Sequence, residues 1–140
     1  MKTFDVQSVA IAAPIGRTFE YIADPQNLPE WTHAFQSITP GRARMVTPQG
    51  SIEIGLSVDA SPEMGTVDWT MKLPDGSVGK AYSRIHPDGN GGAIYTFLLM
   101  APPVPLEQLE GALEQQSITL RDELQQLARI LGGRRQSRTR

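Results

Sequence analysis

Leucine recurs along the last third of this chain at the spacing of one face of an α-helix, and no other feature limits the fold as strongly. Intervals of three, four and seven residues put the leucines on one side of a helix about 40 Å long at 1.5 Å per residue. Proline precedes the stripe and Gly132 follows it, which predicts where the helix begins and ends. The stripe consists of Leu106, Leu109, Leu113, Leu120, Leu124, Leu127 and Leu131.

This stripe needs an apolar surface to cover. A coiled coil is the alternative, but fewer than four heptads with an incomplete seam favour packing on a sheet. Between Gln36 and Met100, short alternating runs are separated by turns rich in proline and glycine, as in an antiparallel meander. The clearest strands, each with one apolar face, are 52–58, 67–73 and 93–99. The pattern predicts an α+β fold in which the last helix covers one face of the sheet.

The first part of the chain predicts a strand and two short helices. Residues 4–12 alternate as a half-buried strand does. Pro14 then fits the first position of an amphipathic helix, and Asp24-Pro25 ends that helix because proline disfavours helical geometry in the residue before it. A second helical turn is expected before Phe35.

Length and charge limit the classes of protein that this chain can represent. Its 140 residues suit one domain, which we place at residues 1–131, followed by a flexible basic tail at 132–140. Four of the thirteen basic residues lie in that tail, which leaves nine basic against fifteen acidic residues before it. An acidic body repels phosphate, so no nucleic-acid partner is expected.

There is no cysteine, so neither a disulfide nor a thiolate site is possible. Neither a signal peptide nor a membrane-spanning run is evident, and we therefore expect a cytoplasmic protein without integral membrane association. A homodimer is left open.

Residues 9–38 resemble the opening of a known family. The matching features are Ala13-Pro14 before the first helix, Phe19 and Ile22 on it, the Asp24-Pro25 break and the Leu28-Pro29-Glu30-Trp31 motif. With the last helix included, residues 3–131 resemble the polyketide cyclase/dehydrase group of the START-like, helix-grip superfamily (SRPBCC). The resemblance implies a curved antiparallel sheet of about seven strands wrapped around a long C-terminal helix, with two short helices after the first strand. It also implies a hydrophobic tunnel that binds lipids, polyketides, sterols or similar molecules.

The residues expected to line such a cavity are mostly aromatic, because ligand pockets are largely apolar with a few polar groups. They are Trp31, Phe35, Trp69, Met71, Tyr95 and Phe97. Gln116 joins them because it interrupts the leucine stripe, where an unpaired amide would cost about 1 to 3 kcal/mol in a packed interior. The alternative is that Gln116 bonds a neighbouring backbone group.

Catalytic residues are harder to identify. Tyr82, Arg84 and His86 alternate on one strand and could polarise a carbonyl and move a proton if their face pointed inward. The opposite face, with Gly79, Ala81, Ser83 and Ile85, is smaller and more apolar, so we expect that face to point inward instead. Only His33 and His86 are available as imidazole ligands, so no metal and no cofactor is expected.

Three functions remain open at this point. The first is binding or carrying a small hydrophobic ligand. The second is a cofactor-independent polyketide cyclase or dehydratase that uses general acid/base residues, and the third is a protein-interaction module. A fold alone does not choose among them.

Overall fold

The computed structural model describes residues 3–47, 50–101 and 106–138, without the side chains of residues 47, 106–111 and 134–138. Within these ranges the chain forms seven strands, three α-helices and one 3₁₀ turn at Pro25–Asn27. The elements in chain order are β1 Phe4–Ile11, α1 Ile15–Ala23, α2 Leu28–Trp31, β2 Phe35–Thr39, β3 Arg42–Thr47, β4 Gly50–Ser61, β5 Thr66–Lys72, β6 Val78–Pro87, β7 Ala93–Met100 and α3 Leu106–Arg138.

All seven strands join one antiparallel sheet in the order β1-β7-β6-β5-β4-β3-β2. From β2 to β7, each strand pairs with the next along the chain. β1 instead pairs with β7, with Phe4 opposite Met100 and Ile11 opposite Ala93. α1 and α2 carry the chain from one edge of the sheet to the other. The predicted α+β helix-grip architecture is confirmed.

The sheet has one buried face, as the alternating patterns predict. The buried side chains of β5 are Val67 and Trp69. Those of β7 are Ala93, Tyr95 and Phe97. On β6, Ala81, Ser83 and Ile85 are buried while Tyr82 is 41% exposed. The prediction that the small apolar face of this strand points inward is therefore confirmed.

A bulge in β2 turns two apolar side chains to the same face. The pairing of β2 with β3 shifts by one residue between Phe35 and Ser37, which leaves Gln36 as the extra residue. Phe35 and Ile38 therefore both pack against the core although they are three positions apart. Without the shift, a strand would send them to opposite faces.

The helix α3 lies against the buried face and is anchored from two sides. Gln7 Nε2 of β1 donates to Ser117 O at 2.8 Å, and Arg17 Nη2 of α1 donates to Leu131 O at 3.0 Å. The leucines that the stripe predicts to be covered are buried at Leu113, Leu120, Leu124, Leu127 and Leu131. The prolines expected to open α3, and the side chains of Leu106 and Leu109, lie outside the described part of the chain.

The expected end of α3 at Gly132 is wrong, because the helix continues to Arg138. A glycine lowers helix stability by about 1 kcal/mol relative to alanine but does not forbid the helix. Gly132 is buried, and a Cβ at this position would lie 3.7 Å from Ala12 Cβ. That separation is an ordinary van der Waals contact, so packing on Ala12 does not by itself require a glycine here. The side chains of the basic tail lie outside the description, and its flexibility stays a prediction.

Candidate functional site

A cavity of about 140 Å³ lies between the sheet and α3, beside α2. Its wall is almost entirely apolar. The lining residues that the structure describes are Leu28, Trp31, Thr32, Ala34, Phe35, Trp69, Met71, Ala81, Phe97, Leu99, Leu120 and Glu123. Six of them are half-buried, and we call this set the mouth: Thr32, Ala34, Phe35, Met71, Leu99 and Glu123.

Four aromatic side chains form a connected array around the cavity. Trp69 stacks on Phe97 with 5.8 Å between ring centroids and 28° between planes. Tyr95 makes edge contacts with Phe97 at 6.2 Å and with Trp31 at 6.4 Å. These separations fall in the favourable range for aromatic pairs. The array joins α2 to β5 and β7 and fixes the shape of the wall.

Five of the residues expected at the cavity lie there: Trp31, Phe35, Trp69, Met71 and Phe97. Tyr95 is fully buried and packs behind the wall against Trp31 and Phe97, but it is absent from the lining.

The structure corrects the expectation for Gln116, whose side chain is exposed. β1 packs against the Ser117 side of this turn of α3, as the hydrogen bond from Gln7 to Ser117 O shows. The neighbouring Gln116 therefore points to solvent and carries no buried, unpaired amide.

Two buried donors of wall residues lack partners. Trp31 and Trp69 are 3% and 4% exposed, and neither indole Nε1–H makes a hydrogen bond. Leaving a buried donor unpaired costs about 1 to 3 kcal/mol.

A third unpaired group lies behind the wall. The buried Tyr95 hydroxyl does not reach hydrogen-bond geometry with any partner. Burial raises the pKa of Tyr95 far above its ordinary value, and the nearby Ser83 side chain offsets only part of that rise. Ser83 uses its own hydroxyl to donate to Val67 O. Tyr95 therefore stays a neutral phenol at any ordinary pH.

Glu123 is the charged group of the mouth. Its Oε2 accepts a hydrogen bond of 2.7 Å from the backbone N–H of His33, and its Oε1 has no partner among the described residues. Burial raises the pKa of this carboxyl above 4.5, while the bond from His33 and the charge of that histidine act in the opposite direction. A partly buried carboxyl with a shifted pKa beside an apolar cavity is typical of functional sites.

Comparison with solved structures identifies the architecture. A START superfamily protein from Mycobacterium smegmatis matches with a TM-score of 0.70 and 14% identity over 93% of this chain and 99% of that one. The di-domain ARO/CYC BexL from the BE-7585A biosynthetic pathway matches at 0.67 and 15% over 91% of this chain and 45% of that one. DynU16 from the dynemicin biosynthetic locus matches at 0.61 and 18%, over 94% and 48%. The chain has a START-like fold.

At sequence identities of 14%, 15% and 18%, the similarity of this chain to these solved structures establishes the fold alone. No protein-family model matches this sequence, and no curated protein matches it significantly. What the site does must therefore be argued from its own residues.

The catalytic candidates lie on the outer face of the START-like sheet, away from the cavity. Tyr82 and Arg84 are exposed and His86 is half-buried. Arg84 Nε donates to Met64 O at 3.1 Å, which ties β6 to the turn after β4. These three side chains share a strand face but not the site.

Glu123 was not predicted from the sequence. It follows Leu120 by three positions and precedes Leu127 by four, so it lies at the edge of the leucine stripe. An acidic residue at the edge of an apolar stripe is common on a helix that borders solvent. Only the contact with His33 distinguishes Glu123 from other such residues.

The structure also bears on metal binding and on membrane insertion. Within the described ranges, no three His, Asp or Glu side chains come together as a metal site requires. None of the helices in the described part is both long and apolar enough to cross a membrane.

Proposed function

We propose that this protein binds or carries a small hydrophobic molecule in the cavity between the sheet and α3. The observation that carries the proposal is the cavity itself, about 140 Å³ with an almost wholly apolar wall. An engineered apolar cavity of about 150 Å³ in another protein takes up benzene. A space of this size therefore suits one aromatic ring.

The family resemblance implies lipids and polyketides as ligands, and these molecules are larger than one ring. Such a molecule would have to extend through the mouth, where six lining side chains are already half-buried. Closed pockets for drug-sized ligands have volumes of about 300 Å³ or more. We therefore expect a single ring, or one end of a longer molecule, to occupy the cavity.

Tryptophan fluorescence can test the proposal directly, because the only two tryptophans, Trp31 and Trp69, both line the cavity. Titration with toluene should change their emission in a saturable way. Native mass spectrometry of a fresh preparation should also show a mass above that of the chain if a ligand is retained. No saturable change with any one-ring probe, together with no retained mass, would contradict binding.

A second candidate function is general acid/base catalysis, and Glu123 is the observation that favours it. A carboxyl whose pKa is raised by burial can exchange a proton with a molecule at the mouth. Turnover of a poly-β-keto compound that is lost in Glu123→Gln and kept in Tyr82→Phe would support this function. Equal turnover by both variants would argue against it.

Three predictions from the sequence stay predictions. They are the cytoplasmic location, the homodimer and the use of the fold as a protein-interaction module. Exposed apolar side chains on the outer face of β1 and β7, such as Phe4 opposite Met100, are the feature on which a module would depend.

A further inference from the structure

The polar groups around the cavity limit the chemistry of its occupant. Among the described lining residues, only Thr32 and Glu123 have side-chain oxygen atoms. Thr32 Oγ1 uses its proton to donate to Leu28 O at 2.7 Å, so it can offer a ligand only a neutral acceptor. Glu123 Oε1 is the charged acceptor and therefore the stronger one.

The charge at the mouth excludes one class of hydrophobic ligand. No lysine or arginine is among the described lining residues, and His33, whose charge acts on Glu123, is not among them either. A carboxylate ligand would therefore meet the carboxylate of Glu123 in the wall, and like charges repel strongly where solvent is excluded. Fatty acids and aromatic acids should therefore bind poorly.

The free oxygen of Glu123 sets what the ligand must offer. Glu123 Oε1 needs a donor, and a hydroxyl group is one. A hydroxyl on an aromatic ring meets this need with few atoms, and the volume of about 140 Å³ admits one ring.

We propose that the preferred occupant is a neutral one-ring phenol whose hydroxyl donates to Glu123 Oε1 and whose ring packs in the aromatic array of Trp31, Trp69 and Phe97. This inference rests on the proposed binding function and names its ligand class. Glu123 is then the residue that determines specificity, selecting a ring with a hydroxyl over a ring without one and excluding carboxylate. The bond from His33 holds the carboxyl in place for that selection.

Three probes that differ in one substituent test the inference: p-cresol, toluene and 4-methylbenzoate, titrated into the full chain and followed by tryptophan fluorescence and calorimetry. In the wild type, p-cresol should bind about tenfold more tightly than toluene, because a hydrogen bond to a charged acceptor is among the stronger ones. 4-Methylbenzoate should bind more weakly than toluene. If toluene equals or exceeds p-cresol, or if 4-methylbenzoate binds best, the phenol inference is wrong while the binding function stands.

Substitution of Glu123 separates the carboxyl from the rest of the cavity. In Glu123→Leu, p-cresol should lose its advantage and toluene should bind at least as well as before. In Glu123→Gln, 4-methylbenzoate should bind better than in the wild type, because the repelling charge is gone. Glu114→Gln removes a charge from the exposed side of the same helix and should leave all three affinities unchanged.

Two results would overturn the inference in different ways. A preference for p-cresol that survives in Glu123→Leu would place the acceptor elsewhere. Failure of all three probes to bind the wild type would remove the proposed binding function along with the phenol.

Discussion

The backbone N–H of His33 donates a hydrogen bond of 2.7 Å to Glu123 Oε2. His33 lies in the loop between α2 and β2, and Glu123 lies on α3, ninety positions later. The bond joins the loop that carries Thr32 and Ala34 to the helix that covers the sheet. One carboxylate therefore both closes a side of the mouth and supplies its charge.

Replacing Glu123 by glutamine should stabilise the protein at neutral pH. Burial raises the pKa of Glu123 in the folded state above its ordinary 4.5. The stability that this group contributes is thus fully present below 4.5 and is lost as the pH rises through the folded-state pKa. Glutamine cannot ionise, so the variant escapes that loss. Urea unfolding at pH 8 should give a higher midpoint for Glu123→Gln than for the wild type.

The same difference should vanish near pH 4, where both states of the wild type hold the proton. The charged groups that influence Glu123 are His33, which lowers its pKa, and Asp122, which raises it. A variant less stable than the wild type by the same amount at both pH values would show that the carboxylate is not destabilised by burial. Glu114→Gln serves as the control.

The strand faces could be predicted from the sequence because their period is two and each is covered on one side only. Val67 and Trp69, or Tyr95 and Phe97, need no knowledge of their partners to be assigned to the core. Phe35 and Ile38 show the limit of that reasoning, because they share a face only through the bulge at Gln36. A bulge depends on pairing with β3, which the local pattern does not contain.

For a related reason, the sequence does not show which polar residue of α3 lies at the cavity. Gln116 and Glu123 both border the leucine stripe, and helical periodicity treats them alike. What separates them is tertiary: β1 packs on the Ser117 side and leaves Gln116 exposed, while His33 approaches Glu123. Contacts between distant segments decided these positions.

Removing the hydroxyl of Tyr95 should not weaken the fold. That hydroxyl is buried without a hydrogen bond, so Tyr95→Phe should leave the free energy of unfolding unchanged or raise it by up to about 1 kcal/mol. Tyr21 is the matched control, because it is also buried but its hydroxyl donates to Glu30 Oε1. Tyr21→Phe should lower the free energy of unfolding by about 1 to 3 kcal/mol. Equal losses in both variants would mean that Tyr95 has a partner in solution.

Alanine at Gly65 should destabilise the turn between β4 and β5. Gly65 has a φ of 74°, and a Cβ there would lie 2.5 Å from Ile85 O. The backbone N–H of Ile85 also donates to Gly65 O at 2.8 Å, which holds the two residues close together. Strain and clash together should lower the free energy of unfolding by about 2 to 4 kcal/mol.

Gly76, in the turn between β5 and β6, separates backbone strain from steric clash. Its φ is 91°, but nothing lies within 4 Å of an added Cβ. Gly76→Ala should therefore cost only about 1 kcal/mol in thermal or chemical unfolding. If the two glycine variants lose the same stability, the close approach of Ile85 is not maintained in solution.

Two adjacent positions on β6 test whether the cavity is the binding site. Ala81 lines the cavity and is 5% exposed, whereas Tyr82 points outward and is 41% exposed. Ala81→Leu adds three carbon atoms to a space of about 140 Å³ and should weaken toluene binding by at least about tenfold. Tyr82→Leu changes the opposite face of the same strand and should leave toluene affinity within about twofold. Thermal unfolding of both variants establishes that they are folded. Undiminished binding by a folded Ala81→Leu would move the ligand away from the cavity.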